Sequence, residues 1–202
     1  MVKGNVKNQQ VQKPRAGLSF RHYMLIVIAL MALAASLELA MGRHPLSLSG
    51  RILLWVSDVN SSENSQQLAD WYSFTHIIHG IALFAIVRLI GRGKWPLGLC
   101  LVAAVFLECS WEVLENSSFI INRYRQTMAQ GYYGDSILNS MSDISFAMFG
   151  FFLASRLPIW ATIGLVIVIE AGLAWGIHDN LTLNIIMLIH PFAGIKHWQM
   201  GV

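Results

Sequence analysis

The chain is short of charge. Only 12% of its 202 residues are Asp, Glu, Lys or Arg, against roughly 25% for an ordinary soluble domain. With 55% hydrophobic residues gathered into long apolar runs, that deficit excludes a soluble globular domain and reads as an integral membrane protein. Cysteine is almost missing. Cys100 and Cys109 lie on one apolar run, too far apart to bridge each other, and read as small buried residues that are silent about compartment. No Gly/Ser/Pro-rich linker divides the chain, so one bundle accounts for its length. No basic patch forms, because Lys and Arg flank the apolar runs, and this excludes a nucleic-acid partner. Two motifs of hydrolytic chemistry, HExxH and GxSxG, are also missing.

What is present is an all-α pattern, a polytopic membrane helix bundle of about five transmembrane helices. Residues 1–21 carry Lys3, Lys7, Lys13, Arg15 and Arg21 and no acid, the composition of a disordered cytoplasmic tail. The bundle occupies 22–178, with spans expected at about 23–41, 74–90, 95–114, 136–155 and 159–177. The first run also resembles a secretory signal, with Ala32-Leu33-Ala34 as a cleavage motif. Its apolar stretch continues to Ala40, and this favours a retained helix. Residues 42–73 read as a polar loop in which Ile52–Val56 lies along the membrane surface. Residues 179–202 form an interfacial or periplasmic tail, because Leu181–Ile189 is too short to span.

Orientation follows from the positive-inside rule. With the N-terminus inside and the C-terminus out, the inner segments hold nine of the 14 Lys and Arg. That topology puts Glu38, Glu108, Glu112 and Glu170 in the outer halves of their helices. His76, His79 and Asp135 then lie at outer helix ends, and Asp143 sits about 12 Å deeper than Asp135 at 1.5 Å per residue. The inner halves of the spans carry no acid or histidine. A polar site opening outward follows from that asymmetry.

Helical spacing gathers the candidates. Glu108, Glu112 and Glu115 share one face at i, i+4, i+7, and Asp135, Asn139 and Asp143 share another at i, i+4, i+8. His76 and His79, at i, i+3, point into the same space. Glu112, Asp143 and His79 are the candidate acid/base or positioning groups, because buried carboxylates are protonated or paired. His76, Glu108, Glu115, Arg123, Arg125, Asp135 and Asn139 are candidate ligand-binding residues. The two arginines suit an anionic lipid headgroup or the neighbouring carboxylates. Bland roles compete: an N-cap for Asp135, interhelical hydrogen bonds for Asn139, and snorkelling to water for Glu38. The sequence identifies no cofactor, although two histidines with carboxylates suit a divalent metal such as zinc.

Three segments carry a family resemblance: Trp71-Tyr72-Ser73-Phe74-Thr75-His76-Ile77-Ile78-His79-Gly80, Trp111-Glu112-Val113-Leu114-Glu115-Asn116, and Gly131-Tyr132-Tyr133-Gly134-Asp135-Ser136-Ile137-Leu138-Asn139-Ser140. Through them the chain resembles uncharacterised protein family 0314, bacterial inner-membrane proteins with a domain of unknown function. The resemblance implies a multi-pass cell-membrane protein and no activity. More distantly, the order His, Glu-x-x-Glu, Gly-Asp and a second intramembrane Asp is similar to VanZ-like membrane proteins, with the last acidic spacing shifted by a residue.

Three functions stay open from the residues. The pocket binds or modifies an envelope component such as a lipid headgroup. Alternatively, the chain is a proton-coupled small-solute carrier or channel. Alternatively, it is a non-enzymatic structural or assembly partner. The bilayer itself is the one partner implied throughout.

Overall fold

Apolar runs of this length close every backbone hydrogen bond internally when they coil, which is the condition for crossing hydrocarbon. The computed structural model describes residues 18–127 and 131–200. The basic residues Lys3, Lys7, Lys13 and Arg15 lie outside the described residues. Among those described, the chain is all-helical: α1 (Phe20–Ala40), α2 (Ser73–Ile90), α3 (Leu97–Glu115), α4 (Ser118–Gln126), α5 (Ile137–Arg156), α6 (Ile159–Ile177), α7 (Leu181–Ile189) and α8 (Ala193–Gln199). Five of these, α1, α2, α3, α5 and α6, are long and apolar enough to cross a membrane. At 1.5 Å per residue each is about 27–32 Å long, close to the thickness of the hydrocarbon core. They begin and end within three residues of the apolar runs in the sequence. This is a multi-pass membrane bundle.

Short connections at 91–96 and 157–158 make α2, α3, α5 and α6 alternate in direction. The ends of α1, α3 and α6 therefore gather with the starts of α2 and α5 at one end of the bundle, the pocket end. Pro96 and Pro158 stand just before α3 and α6, where a missing N–H costs the helix nothing.

Small residues set the packing. α2 and α5 form the closest pair. A Cβ on Gly80 would lie 1.8 Å from the Ala147 carbonyl oxygen, and one on Gly150 would lie 2.0 Å from that of Ile77. Lipid tails are as apolar as the helices, so close backbone approach at such positions is a main source of association. α1 lays Tyr23, Val27, Ala34 and Glu38 along one stripe against α3 and α5. The half of the bundle away from the pocket end is filled by Val27, Val87, Cys100, Leu101, Ala104 and Phe151, an apolar plug. α6 is peripheral. Its Ile163, Ile167 and Val168 are exposed, and so are Trp160 and Trp175 near its two ends. Those indoles are about 22 Å apart along the axis, the arrangement of an aromatic belt at two membrane interfaces.

Several local features go beyond or differ from the sequence reading. The polar turn after Glu115 contains α4, capped by Ser117 and held by buried Ile120 and Ile121. The short apolar tail folds as α7, and the Glu170 carboxylate accepts from the backbone N–H groups of Leu181 (3.0 Å) and Thr182 (3.1 Å) in its first turn. Residues 42–72 do more than connect. Ser136, Ile137 and Leu138 open α5 with N–H groups that have no intrahelical partner, and these donate to the carbonyls of Ser65, His44 and Pro45. Gln66 and Gln67, 2% and 1% exposed, are buried in this loop beneath the start of α5. Glu38 does not snorkel to water: it is fully buried.

Candidate functional site

α2 places His76 and His79 one turn apart, facing α3. The His76 Nδ1–H donates to Glu108 Oε1 at 2.7 Å, and the His79 Nδ1–H donates to the same oxygen at 3.1 Å. His76 Nδ1 is also 3.3 Å from Glu112 Oε1, and its Nε2 is 3.8 Å from Asp143 Oδ2 on α5. One imidazole thus stands between the carboxylates of α3 and the carboxylate of α5. Glu108, Glu112 and Asp143 are 2%, 1% and 5% exposed. Among the described residues, every ion pair is one of these histidine–carboxylate contacts, and no Lys or Arg enters the cluster. Both Glu112 oxygens and Asp143 Oδ1 are buried without a hydrogen-bond partner.

Above the cluster lies a cavity of about 950 Å³. His76, His79, Asp143, Asn139, Asp135 and Glu115 form its polar floor, and Ile177, Leu181, Ile185, Met187 and Leu188 of the α6–α7 region form an apolar wall. Residues 57–66 cross its mouth. Glu108 and Glu112 do not reach the cavity wall; they stand behind His76.

The remaining candidates divide. Asp135 precedes α5, and the N-cap is Ser136, whose hydroxyl accepts from the Asn139 N–H. Asn116 holds Asp135 from two sides: its Oδ1 accepts from the Asp135 N–H at 2.7 Å, and its Nδ2 donates to Asp135 Oδ2 at 3.0 Å. Tyr132 donates to Asp135 Oδ1 at 3.0 Å. Burial pushes the Asp135 carboxyl well above its ordinary range, and the nearby Glu115 and Asp143 carboxylates push it further. Asn139 is committed to structure as well as lining, since its Nδ2 donates to the Gln67 carbonyl at 2.9 Å.

Arg123 and Arg125 do not join the site. Arg123 donates to the carbonyls of Leu188 (2.8 Å) and Ile189 (3.0 Å), and Arg125 donates to the carbonyl of Tyr132. Neither lines the cavity, and among the described residues no Lys or Arg does.

Sequence reasoning missed Asn116, Gln66, Tyr72 and Asp179. Asn116 was within reach, four residues after Glu112 on the same helical face. Asp179, just after α6, ties the start of α2 to α7 and α8, accepting from Tyr72 Oη (3.1 Å), Asn184 Nδ2 (3.2 Å) and Gln199 Nε2 (2.9 Å). Burial raises its carboxyl above the ordinary Asp value. No local pattern marks either that joint or the buried face of Gln66.

Fold and site together define a polytopic membrane bundle with a histidine–carboxylate cluster beneath a cavity at one end. The chain belongs to the family described as Protein of unknown function (DUF2585), whose profile matches residues 38–201. It is similar to a UPF0314 protein of Sphingopyxis alaskensis, 48% identical over 181 residues, which span 88% of this chain and 94% of that protein. A UPF0314 protein of Rhizobium etli is 46% identical over 181 residues (89% and 92%), and one of Paracoccus denitrificans 44% over 173 residues (85% and 89%). The family resemblance seen in the sequence is thereby shown. No solved structure matches the chain.

Proposed function

We propose that the cavity opens to the outer face of the cell inner membrane and receives the polar head of an envelope amphiphile. One observation carries this: a single cavity joins an ionisable floor to an apolar wall built by α6 and α7, the peripheral side of the bundle. Such a space suits a molecule with a polar head and a hydrocarbon body. The positive-inside count supports the outward orientation. The lining acids Asp58, Glu115, Asp135, Asp143 and Asp179, with no Lys or Arg lining it among the described residues, favour an amine-bearing or hydroxyl-rich headgroup. They do not favour a bare anionic headgroup clamped by Arg123 and Arg125. Asp143 and His79 face the cavity as the acid/base or ligand-positioning groups, and Glu112 is a positioning residue acting through His76.

Two observations weigh against the other readings. A proton-coupled carrier needs polar groups through to the opposite end, and the apolar plug occupies that path. Carboxylates that only fix helix packing should be hydrogen-bonded, whereas Glu112 carries two unpartnered oxygens.

The test is mass spectrometry of envelope lipids that co-purify with the detergent-solubilised protein. Ile185→Trp, which fills the cavity from its apolar wall, should lose a lipid that wild type retains. The same lipids in both proteins, in the same amounts, would sink the reading.

A further inference from the structure

We propose that His76 Nδ1, His79 Nδ1 and Glu108 Oε1 hold a divalent first-row transition metal, with zinc the best fit, at the floor of the cavity. The proposal goes beyond the amphiphile reading and does not depend on it. The three donor atoms lie within 4.8 Å of one another. A tetrahedral ion with ligand bonds near 2.0–2.1 Å spans donor–donor edges of about 3.3 Å. Both Glu108 edges, 2.7 Å to His76 and 3.1 Å to His79, are hydrogen bonds. Replacing the shared protons by an ion therefore lengthens those two edges by only about 0.6 and 0.2 Å. Each neutral imidazole then carries its proton on Nε2, which on His76 faces Asp143 Oδ2 at 3.8 Å. A carboxylate behind a metal-bound imidazole is the usual means of fixing its tautomer and ring orientation.

An independent observation points to a cation. Glu112, 1% exposed, aims Oε1 at His76 Nδ1 from 3.3 Å, yet neither of its oxygens has a hydrogen-bond partner. A buried carboxylate without donors is expensive, and no Lys or Arg among the described residues pairs with it. A divalent ion between the histidines and Glu108 supplies the missing positive charge beside Glu112. The imidazoles select against magnesium and calcium, which take oxygen ligands. Both histidines belong to the cavity wall while Glu108 stands behind them, so the remaining coordination position faces the cavity. Three protein ligands and one open position are the layout of a reactive rather than a purely structural metal site.

The test uses full-length, tag-free protein in detergent, stripped with a chelator and then exposed to Zn²⁺ or Co²⁺ alone. Wild type should take up about one ion per chain, with the visible bands of tetrahedral cobalt. His79→Ala and Glu108→Gln should abolish stoichiometric uptake while eluting as folded protein in size-exclusion chromatography. Asp143→Asn should weaken it by about 10–100-fold, and His44→Ala should leave it unchanged. Folded wild type that takes up neither ion would overturn the proposal, as would wild-type uptake by His79→Ala and Glu108→Gln. Should His76→Ala fail to fold, His79→Ala decides, because its side chain is 19% exposed and its loss leaves a smaller defect. Loss of metal with lipid capture intact would count against the site alone, and loss of lipid capture with metal retained against the amphiphile reading alone.

Discussion

Gly80→Ala tests whether the α2–α5 crossing is what sets the site. The new Cβ would start 1.8 Å from the Ala147 carbonyl oxygen and 2.6 Å from its carbon. Reaching the 3.4 Å of ordinary contact requires the two helices to separate by about 1.6 Å. Overpacking of this kind costs about 1–3 kcal/mol, and the clash with rigid backbone puts Gly80→Ala at the upper end. Better helix propensity returns at most about 1 kcal/mol. Because His76 lies one turn before Gly80 and Asp143 one turn before Ala147, the separation also widens the 3.8 Å gap between them. Denaturant unfolding in detergent, read against wild type, measures the stability. Gly164→Ala is the matched control: it also lies in a long helix, but its Cβ meets nothing within 4 Å. It should be neutral or stabilised by up to about 1 kcal/mol. If Gly80→Ala proves as stable as Gly164→Ala, close backbone approach does not hold this bundle together.

Asn116→Ala should cost about 1–3 kcal/mol, read by the same unfolding assay, because it leaves the buried Asp135 N–H and a carboxylate oxygen without partners. Ser136→Ala should cost about 1 kcal/mol through loss of the α5 cap, and more where the hydroxyl's bond to the Gln66 carbonyl also counts. The pH dependence of Asp179 has a definite sign. Its folded pKa is raised by burial, so the folded state binds the proton more tightly. Its charge therefore costs stability above the folded value, and that cost disappears as pH falls through the folded pKa towards the ordinary 3.8. Wild type should accordingly gain stability relative to Asp179→Asn as pH is lowered through that window; a gap that does not change with pH would count against a buried, raised carboxyl.

The sequence made the spans legible because an apolar run of sufficient length is a local property. Its ends are fixed by Pro96, Pro158 and the Gly91–Lys94 turn. The acidic face of α3 and the His76/His79 pair were legible for the same reason, since helical periodicity alone orients them. What sequence could not supply was anything set by a partner from elsewhere in the chain. Gln66 and Gln67 sit in a run of polar residues that reads as a solvated loop, and only the unsatisfied start of α5 explains their burial. Arg123 and Arg125 read as headgroup ligands until α7 and Tyr132 present carbonyls to them. Asp135 reads as the first residue of an acidic helical face, yet Ser136 takes the cap and Asn116 captures the carboxylate. In each case the deciding contact is long in sequence and short in space.

Cysteine accessibility tests most directly whether the acid–histidine cavity faces outward. The native Cys100 and Cys109 are buried at 0% and 6% exposure, which leaves a nearly silent background. Ser62→Cys places a thiol at the cavity mouth, and Lys94→Cys places one at the opposite end of the bundle. In cells whose outer membrane alone is permeabilised, a membrane-impermeant maleimide should label Ser62→Cys and leave Lys94→Cys unlabelled until the inner membrane is broken. The reverse pattern would place the cavity on the cytoplasmic side and contradict the account.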